Sequence, residues 1–393
     1  MKKRVLVTAS TFPRWQGDSE PRFVLDLCKE LVKEFDVTVL APMTPGAQTE
    51  EVLEGIKVKR FHYFLYYNWE TLCYPGAIVP RIKEKKVRAL LVPFLFISLF
   101  WNLWKSRREY DVYHAHWIIP QGIVQAFIKK PYLVTGHGGD VRALNWGIIK
   151  QLKKHCLAKA RAITLVSDQL ANSLFSVPEF AKESFIKKTQ IIPMGCKIAE
   201  FGPDNRIENY FNQGEKPVVL FVGRLVEIKG VNYLIEAMMG LNATLVVAGT
   251  GPEEARLRTQ AKRMGIDTHF LGGLEHSELR KVYASADLCC IPSITLKDGS
   301  QEGLGLVVLE AMASGLPIIA SNSGGITSIV KNGVNGLLVK EKSSDELQEA
   351  IKKIIFNRID KSKIIDEGFK TVKKYDYHEI GKKYIKLLNE ISE

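Results

Sequence analysis

PVVLFVGRLVEIKG, residues 217–230, reads as a strand that runs through a turn into the start of a helix. Val218–Val222 is apolar without strict alternation, as expected of a strand covered on both faces. Gly223 and Arg224 end it, and Lys229-Gly230 opens the next helical stretch. Similar apolar runs follow at ATLVVAG (243–249), THFLGG (268–273), DLCCIPS (287–293), PIIAS (317–321) and NGLLV (335–339). Helix-like segments fill the gaps between them.

The first half has the same rhythm. RVLVTAS (4–10), DVTVLAP (36–42), DVYHAHW (111–117), PYLVTGHG (131–138), RAITLVS (161–167) and TQIIPMG (189–195) read as strands. In FVLDLCKELVK, Phe23, Val24, Leu27 and Leu31 recur at helical spacing, with Pro21 near the helix start. Strand–helix alternation in both halves implies an α/β chain with two Rossmann-like, parallel-sheet domains. The polar, turn-rich stretch GPDNRIENYFNQGEK (202–216) is the expected linker. The domains are therefore placed at 1–201 and 202–375. Ligands of such sheets bind at the carboxyl ends of the strands, so a cleft there is expected to carry the chemistry.

The 393 residues are 46% hydrophobic and 25% charged, enough apolar material for two cores, and no low-complexity tract interrupts them. None of the six cysteines forms a C-x-x-C pair, which argues against a zinc ribbon or redox dithiol. They read as reduced, mostly buried thiols. Met1-Lys2-Lys3-Arg4 is followed by too short an apolar run for a signal-peptide core, so a cytoplasmic chain is expected. The net charge of +12 is unevenly spread: residues 1–200 carry 30 Lys+Arg against 18 Asp+Glu, and the remainder 25 of each. A basic half suggests an anionic partner, whether nucleic acid, a phosphate-bearing substrate or a membrane surface; plain solubility is the simpler reading.

Ala89–Trp101 (ALLVPFLFISLFW) is apolar except for Ser98 and is flanked by KEKKVR and KSRR. Thirteen residues fall short of the roughly 20 needed to span a bilayer. Two readings stay open: a buried helix of the first domain, or an interfacial helix whose basic flanks meet anionic headgroups.

QEGLGLVVLEAMASGLPIIASNSGG (301–325) is the richest stretch. Glu302 precedes a Gly-x-Gly turn (Gly303, Leu304, Gly305), and Glu310 lies within an apolar helix-like run. A helix starting near Leu304 would offer free N–H groups and a positive dipole end to a phosphate. A carboxylate among Val307, Val308, Leu309, Ala311 and Met312 needs a partner, and two ribose hydroxyls would supply donors. A salt-bridged or solvated glutamate would look the same. Arg224 and Lys229, a planar fork and a point charge beside one strand end, could clamp a diphosphate; a structural Arg and a solvated Lys are the plainer alternative.

Together, G-R-x5-K-G and E-G-x-G-x4-E-A-M-A-S-G-x-P resemble the retaining glycosyltransferases of family 4, which have the GT-B fold, across nearly the whole chain. The resemblance implies that Arg224 and Lys229 bind the donor diphosphate and Glu310 the nucleotide ribose. It places Glu302 and the Gly303–Gly305 backbone at the donor sugar. TGHGGD (135–140) resembles the family's strand-end T-x-H-G segment and puts His137 beside that sugar. Asp140 would contact the acceptor or order its loop, and His116 would line the cleft. Where many members carry a paired-glycine turn near the phosphates, this chain has only Gly17 followed by Asp18. The segment YDYHEIGKKYIKLLNEI (375–391) looks like the helix that crosses back to the first domain, so 376–393 is assigned there.

No Asp-x-Asp occurs, Asp18-Ser19-Glu20 being the nearest approach. Arg224, Lys229 and the helix N-terminus would then stand in for a divalent ion, and neither metal nor cofactor is expected. The resemblance implies retention, by front-face attack with the leaving phosphate taking the acceptor's proton, and with Glu302 as an orienting residue. Domain closure would exclude water. The donor would be a UDP- or GDP-sugar. The acceptor would be a glycan or lipid-linked hydroxyl in polysaccharide or glycolipid assembly, with segment 85–108 touching the inner face of the plasma membrane. A phosphorylase or epimerase of the same fold, and a non-enzymatic anion or nucleic-acid binder, are the alternatives; no nucleic-acid motif is present, and nucleic acid is not expected as a partner.

Overall fold

The computed structural model describes residues 2–18, 20–76, 78–211, 214–297, 299, 301–302 and 305–393. The chain divides into two compact units. The first comprises Met1–Met194 with Tyr377–Glu393, and the second Gly195–Asp376.

In the first unit the strands are β1 (Arg4–Thr8), β2 (Asp36–Pro42), β3 (Glu50–Leu53), β4 (Ile56–Phe61), β5 (Val112–His116), β6 (Tyr132–Gly136), β7 (Ala162–Leu165) and β8 (Thr189–Ile191). They form one sheet in the order β3-β4-β2-β1-β5-β6-β7-β8. All pairs are parallel except β3–β4, an antiparallel hairpin on the edge. Sequence reading had passed over this hairpin. Its signal is present in β4, where exposed Lys57 and Lys59 alternate with buried Ile56 and Val58, as on a strand with one solvated face. The central strands β1, β5 and β6 are buried almost throughout; β1 and β6 are mostly apolar without alternation, whereas β5 carries the buried His114 and His116.

The second unit carries β9 (Val218–Val222), β10 (Thr244–Ala248), β11 (Thr268–Gly272), β12 (Leu288–Ile291), β13 (Ile318–Ser321) and β14 (Leu337–Val339). Their order is β11-β10-β9-β12-β13-β14, all parallel. Its core gathers Val219, Phe221, Leu234, Leu245, Leu257 and Ile351, each nearly or fully sealed. The stretch expected as a linker at 202–216 is attached to this unit. Phe211 is buried, and Ile207 N donates to Ser285 Oγ at 3.0 Å.

The helix Tyr377–Ile391 returns to the first unit and packs against the helix Phe23–Leu31. At their crossing a Cβ on Gly381 would sit 2.5 Å from Glu30 Cβ, so only glycine permits this approach. Tyr384, Leu387 and Leu388 are buried beneath the helix.

The apolar stretch around 89–101 is part of a longer helix. It opens with a 3-10 segment over Lys86–Leu91 and continues as an α-helix over Val92–Ser106. These 21 residues are long and apolar enough to cross a membrane, more than the 13-residue apolar run suggested, yet 22% of the apolar window is buried. Leu91, Leu95, Leu99 and Leu103, four residues apart, face the unit's core. Val87, Leu90, Phe94, Ile97, Trp101 and Trp104 face outward. Neither a wholly buried helix nor a polar-faced surface helix describes it.

Truncating Leu388 to Ala should destabilise the first unit by about 2–5 kcal/mol, the usual cost of removing a sealed leucine. Scanning calorimetry is expected to show that unit's transition moving down while the transition of Gly195–Asp376 stays in place.

Candidate active site

In the second unit the sequence-expected donor residues gather at strand ends. Arg224 follows β9, is exposed, and carries no side-chain hydrogen bond or ion pair among the described residues. Lys229 closes a short 3-10 turn (Glu227–Lys229), and its Nζ lies 2.5 Å from Glu302 Oε2. Ser293 Oγ lies 3.5 Å from the same oxygen. Lys229 and Glu302 are thus one ion-paired unit, mostly shielded from water, rather than two independent groups.

Glu302 is also fixed through its backbone. Its carbonyl accepts from Gly325 N at 3.1 Å. Gly324 has φ +57, and a Cβ there would fall 2.5 Å from Glu302 O, so this position is closed to any side chain. Gly303 and Leu304 lie outside the described residues. The helix begins at Leu306, with Gly305 at φ +73 as its cap, and runs to Ala313.

Glu310 sits in this helix among buried Val308, Leu309, Ala311 and Met312. Tyr283, sealed on the helix His276–Ser285, donates its O–H to Glu310 Oε2 at 2.8 Å. Burial pushes the Tyr283 phenol well above its ordinary range, which keeps it a donor. Burial likewise raises the Glu310 carboxyl, partly offset by the Tyr283 hydrogen bond. Glu310 Oε1 takes no hydrogen bond from a described residue and is not sealed, leaving one acceptor atom open. Tyr283 and Ser293 were not singled out in the sequence; a lone Tyr in a helix and a Ser after a strand carry no signal of their own.

In the first unit the loop after β6 is organised by Asp140. Its Oδ1 accepts from His137 N (3.1 Å) and Gly138 N (2.9 Å), and Oδ2 from Ile118 N (2.8 Å). Both oxygens are occupied by backbone, so Asp140 orders its loop and is buried rather than presented to an acceptor. Burial still raises its carboxyl, with the three amides opposing. Lys153, fully buried, ties down the same loop by donating to Val141 O and Ala143 O.

His137 is partly exposed, with its ring against Phe23 and Trp117. His116, expected on the cleft wall, is fully buried: it ends an interior strand, and its Nδ1 lies 3.0 Å from His137 Nε2. His114, two residues earlier, was not singled out. Its signal was the period-two spacing in DVYHAHW, which puts both histidines on one face of β5. Gly17 is exposed at φ +85 with nothing near a would-be Cβ. Its neighbour Asp18 is paired with Arg14 at 2.7 Å. Among the described residues no group of three or more His, Cys, Asp or Glu is arranged to hold a metal ion.

These units match known families. Residues 21–195 match the model of glycosyltransferase family 4, and residues 204–371 that of the glycosyl transferases group 1. A GDP-mannose-dependent alpha-(1-6)-phosphatidylinositol monomannoside mannosyltransferase from Mycolicibacterium smegmatis is 33% identical over 372 residues, 89% of either chain. An uncharacterised glycosyltransferase from Methanocaldococcus jannaschii is 30% identical over 63% of this chain and 66% of its own length. Among solved structures, sucrose-phosphate synthase from Thermosynechococcus elongatus superposes with a TM-score of 0.77 at 20% identity, covering 99% of both chains. With one family model on each unit and a relative aligned over 89% of both chains, the chain belongs to the group 1 glycosyltransferases of family 4, and its fold is GT-B.

Proposed function

We propose that this enzyme transfers a sugar, with retention and without a divalent metal, from a nucleotide-diphosphate sugar to a hydroxyl of a lipid-linked or glycan acceptor. The observation that carries the reading is the presence in one unit of a half-satisfied Glu310 and an Arg224 that is unpaired among the described residues. Glu310 Oε1 is the acceptor a ribose hydroxyl requires, and Arg224 the donor fork a diphosphate requires. A GDP-sugar is the first choice, because the relative matched over 89% of both chains is named for GDP-mannose; a UDP-sugar is the second.

In the mechanism, Arg224 and Lys229 offset the charge that develops as the nucleoside diphosphate leaves, in place of a metal. Glu302, held by Lys229 and by its own backbone, is an orienting group. A carboxylate already ion-paired is a weaker nucleophile, which supports front-face attack in which the departing phosphate takes the acceptor's proton. His137, with burial holding its imidazole down to about 3, is neutral throughout the working range.

The acceptor reading rests on the surface of the first unit. The outward face of the Lys86–Ser106 helix adjoins the loop 62–70, with Phe64 against Phe94 at 4.9 Å between ring centroids. Leu65, Tyr66, Tyr67 and Trp69 are exposed there. Lys83, Lys85 and Lys86 precede this face, and Lys105, Arg107 and Arg108 follow it. Aromatic residues over an apolar stripe, bounded by cations, suit the headgroup layer of an anionic membrane, here taken as the inner face of the plasma membrane.

Saturating GDP in EDTA should raise the melting midpoint of the second unit by several degrees; at about 100 times Kd the gain is about 2.7 kcal/mol. Glu310→Gln should lose that shift, and a shift retained in full would remove Glu310 from the donor site. The same variant has a pH signature. A carboxyl whose folded pKa is raised holds its proton more tightly when folded, so its contribution is favourable at low pH and is lost as pH rises through the raised value. Ligand-free Glu310→Gln should therefore melt at or above wild type at pH 8, with the difference shrinking towards pH 5.

Wild type should bind vesicles of mixed phosphatidylglycerol and phosphatidylcholine, more weakly as salt rises. Replacing Phe94, Ile97 and Trp101 with Ser should cut binding by about tenfold or more while the fold, judged by circular dichroism, is kept. Equal binding by the triple variant would rule out this face as the membrane contact.

A further inference from the structure

His114, His116 and His137 form a row whose inner end is closed. His114 and His116 are fully buried, their ring centroids 4.1 Å apart, and His116 Nδ1 lies 3.0 Å from His137 Nε2. Two neutral imidazole nitrogens share one proton in such a contact, so one ring donates and the other accepts. Burial holds all three rings neutral.

The direction is set on the far side of His116, whose Nε2 is sealed from water without a partner. If His137 Nε2–H donated, His116 would carry its own proton on that sealed Nε2 as an unmatched N–H. If His116 Nδ1–H donates, only a bare lone pair is left inside. Unmatched buried donors are rarer in proteins than under-used acceptors. His114 resolves in the same sense. Its Nε2 lies 2.8 Å from Thr135 Oγ1, and its sealed Nδ1 has no partner, so the proton belongs on Nε2.

We propose that His116 is a positioning residue that fixes His137 as the Nδ1–H tautomer. Nδ1 of His137 has no partner among the described residues and is not sealed. In this tautomer it offers an N–H to a ligand oxygen, and its only basic nitrogen is turned towards His116. His137 is then a hydrogen-bond donor rather than a general base. The inference rests on the donor-site reading only for the identity of that oxygen, a donor-sugar hydroxyl; the tautomer belongs to the ligand-free chain.

Long-range 1H–15N spectra of the full chain labelled at histidine test it, with signals assigned through His116→Phe and His137→Asn. The expected wild-type spectrum has His137 protonated at Nδ1 and bare at Nε2; the opposite pattern overturns the proposal. His116→Asn keeps an amide N–H near the lost Nδ1 and should preserve the His137 pattern, whereas His116→Phe should release it into a mixture. If His116→Phe fails to fold, the wild-type and His116→Asn spectra decide. In turnover of GDP-mannose, His116→Phe is expected to lower kcat about tenfold with little change in KM, and His116→Asn to recover most of it. An unchanged kcat in a folded His116→Phe overturns the positioning role. The GDP melting shift should be the same in both variants. Its absence from wild type would overturn the donor-site reading, while the tautomer still stands or falls by the spectrum.

Discussion

Parallel sheets covered on both faces constrain everything else in this chain. A strand buried on both sides can carry almost no unpaired polar group, so β9 and β12 are built from Val, Leu, Ile, Cys and Phe, while the equally buried β5 and β6 admit only a few polar residues, among them His114, His116 and Thr135. Chemistry is displaced to the positions where those strands stop. Arg224 and Ser293 follow β9 and β12, and His137 follows β6. Some of the polar side chains kept inside are matched against one another. His114, Thr135 and Thr164 join across β5, β6 and β7, and Tyr384 of the final helix reaches Thr164 at 3.4 Å.

In the second unit, the residues we propose for the donor are a set of charges arranged in advance. Lys229 meets Glu302 instead of solvent, and Arg224 has no counter-charge among the described residues. On the proposed reading, a diphosphate would meet one cation unpaired among the described residues and one whose charge is already partly balanced. The pair holds the Lys229 ammonium in place before any ligand binds, so less side-chain entropy is lost on binding. Glu310 is the converse case, a carboxylate partly stripped of water and given one hydrogen bond where it could take more. Its burial costs the empty protein stability, in keeping with a group shaped for a ligand.

Much of this was legible in the residues. All twelve strands named from apolar runs are present within a few residues of their expected limits, because strands buried on both faces write themselves as continuous Val/Ile/Leu stretches. The spacing of Arg224, Lys229, Glu302 and Glu310 identified the family. What the sequence did not yield are features created by packing between distant segments. Tyr283 reaches Glu310 across 27 positions, Gly324 clears space for Glu302, and Asp140 turns inward to three amides. His116 could not be told from a cleft residue, since the face of a strand is readable from its alternation while the depth of its end is not. The β3–β4 hairpin was missed for the opposite reason, being too polar to register among apolar neighbours. The Lys86–Ser106 helix outran its apolar run because Lys and Arg, with their long aliphatic stems, continue a helix as readily as Leu.

The return of the helix Tyr377–Ile391 to the first unit has a bearing on how the protein is made. During synthesis the first unit emerges early but stays incomplete, with the helix Phe23–Leu31 lacking the neighbour that covers it. The second unit, contiguous from Gly195 to Asp376, has its strands β9 to β14 before that helix is made. The ordinary order, in which the leading domain folds first, is therefore inverted for the final step. The amino-terminal sheet waits, with Leu31 and its neighbours uncovered, until the helix Tyr377–Ile391 has left the ribosome. A chain cut before Tyr377 would have a finished second unit joined to a first one with an open seam.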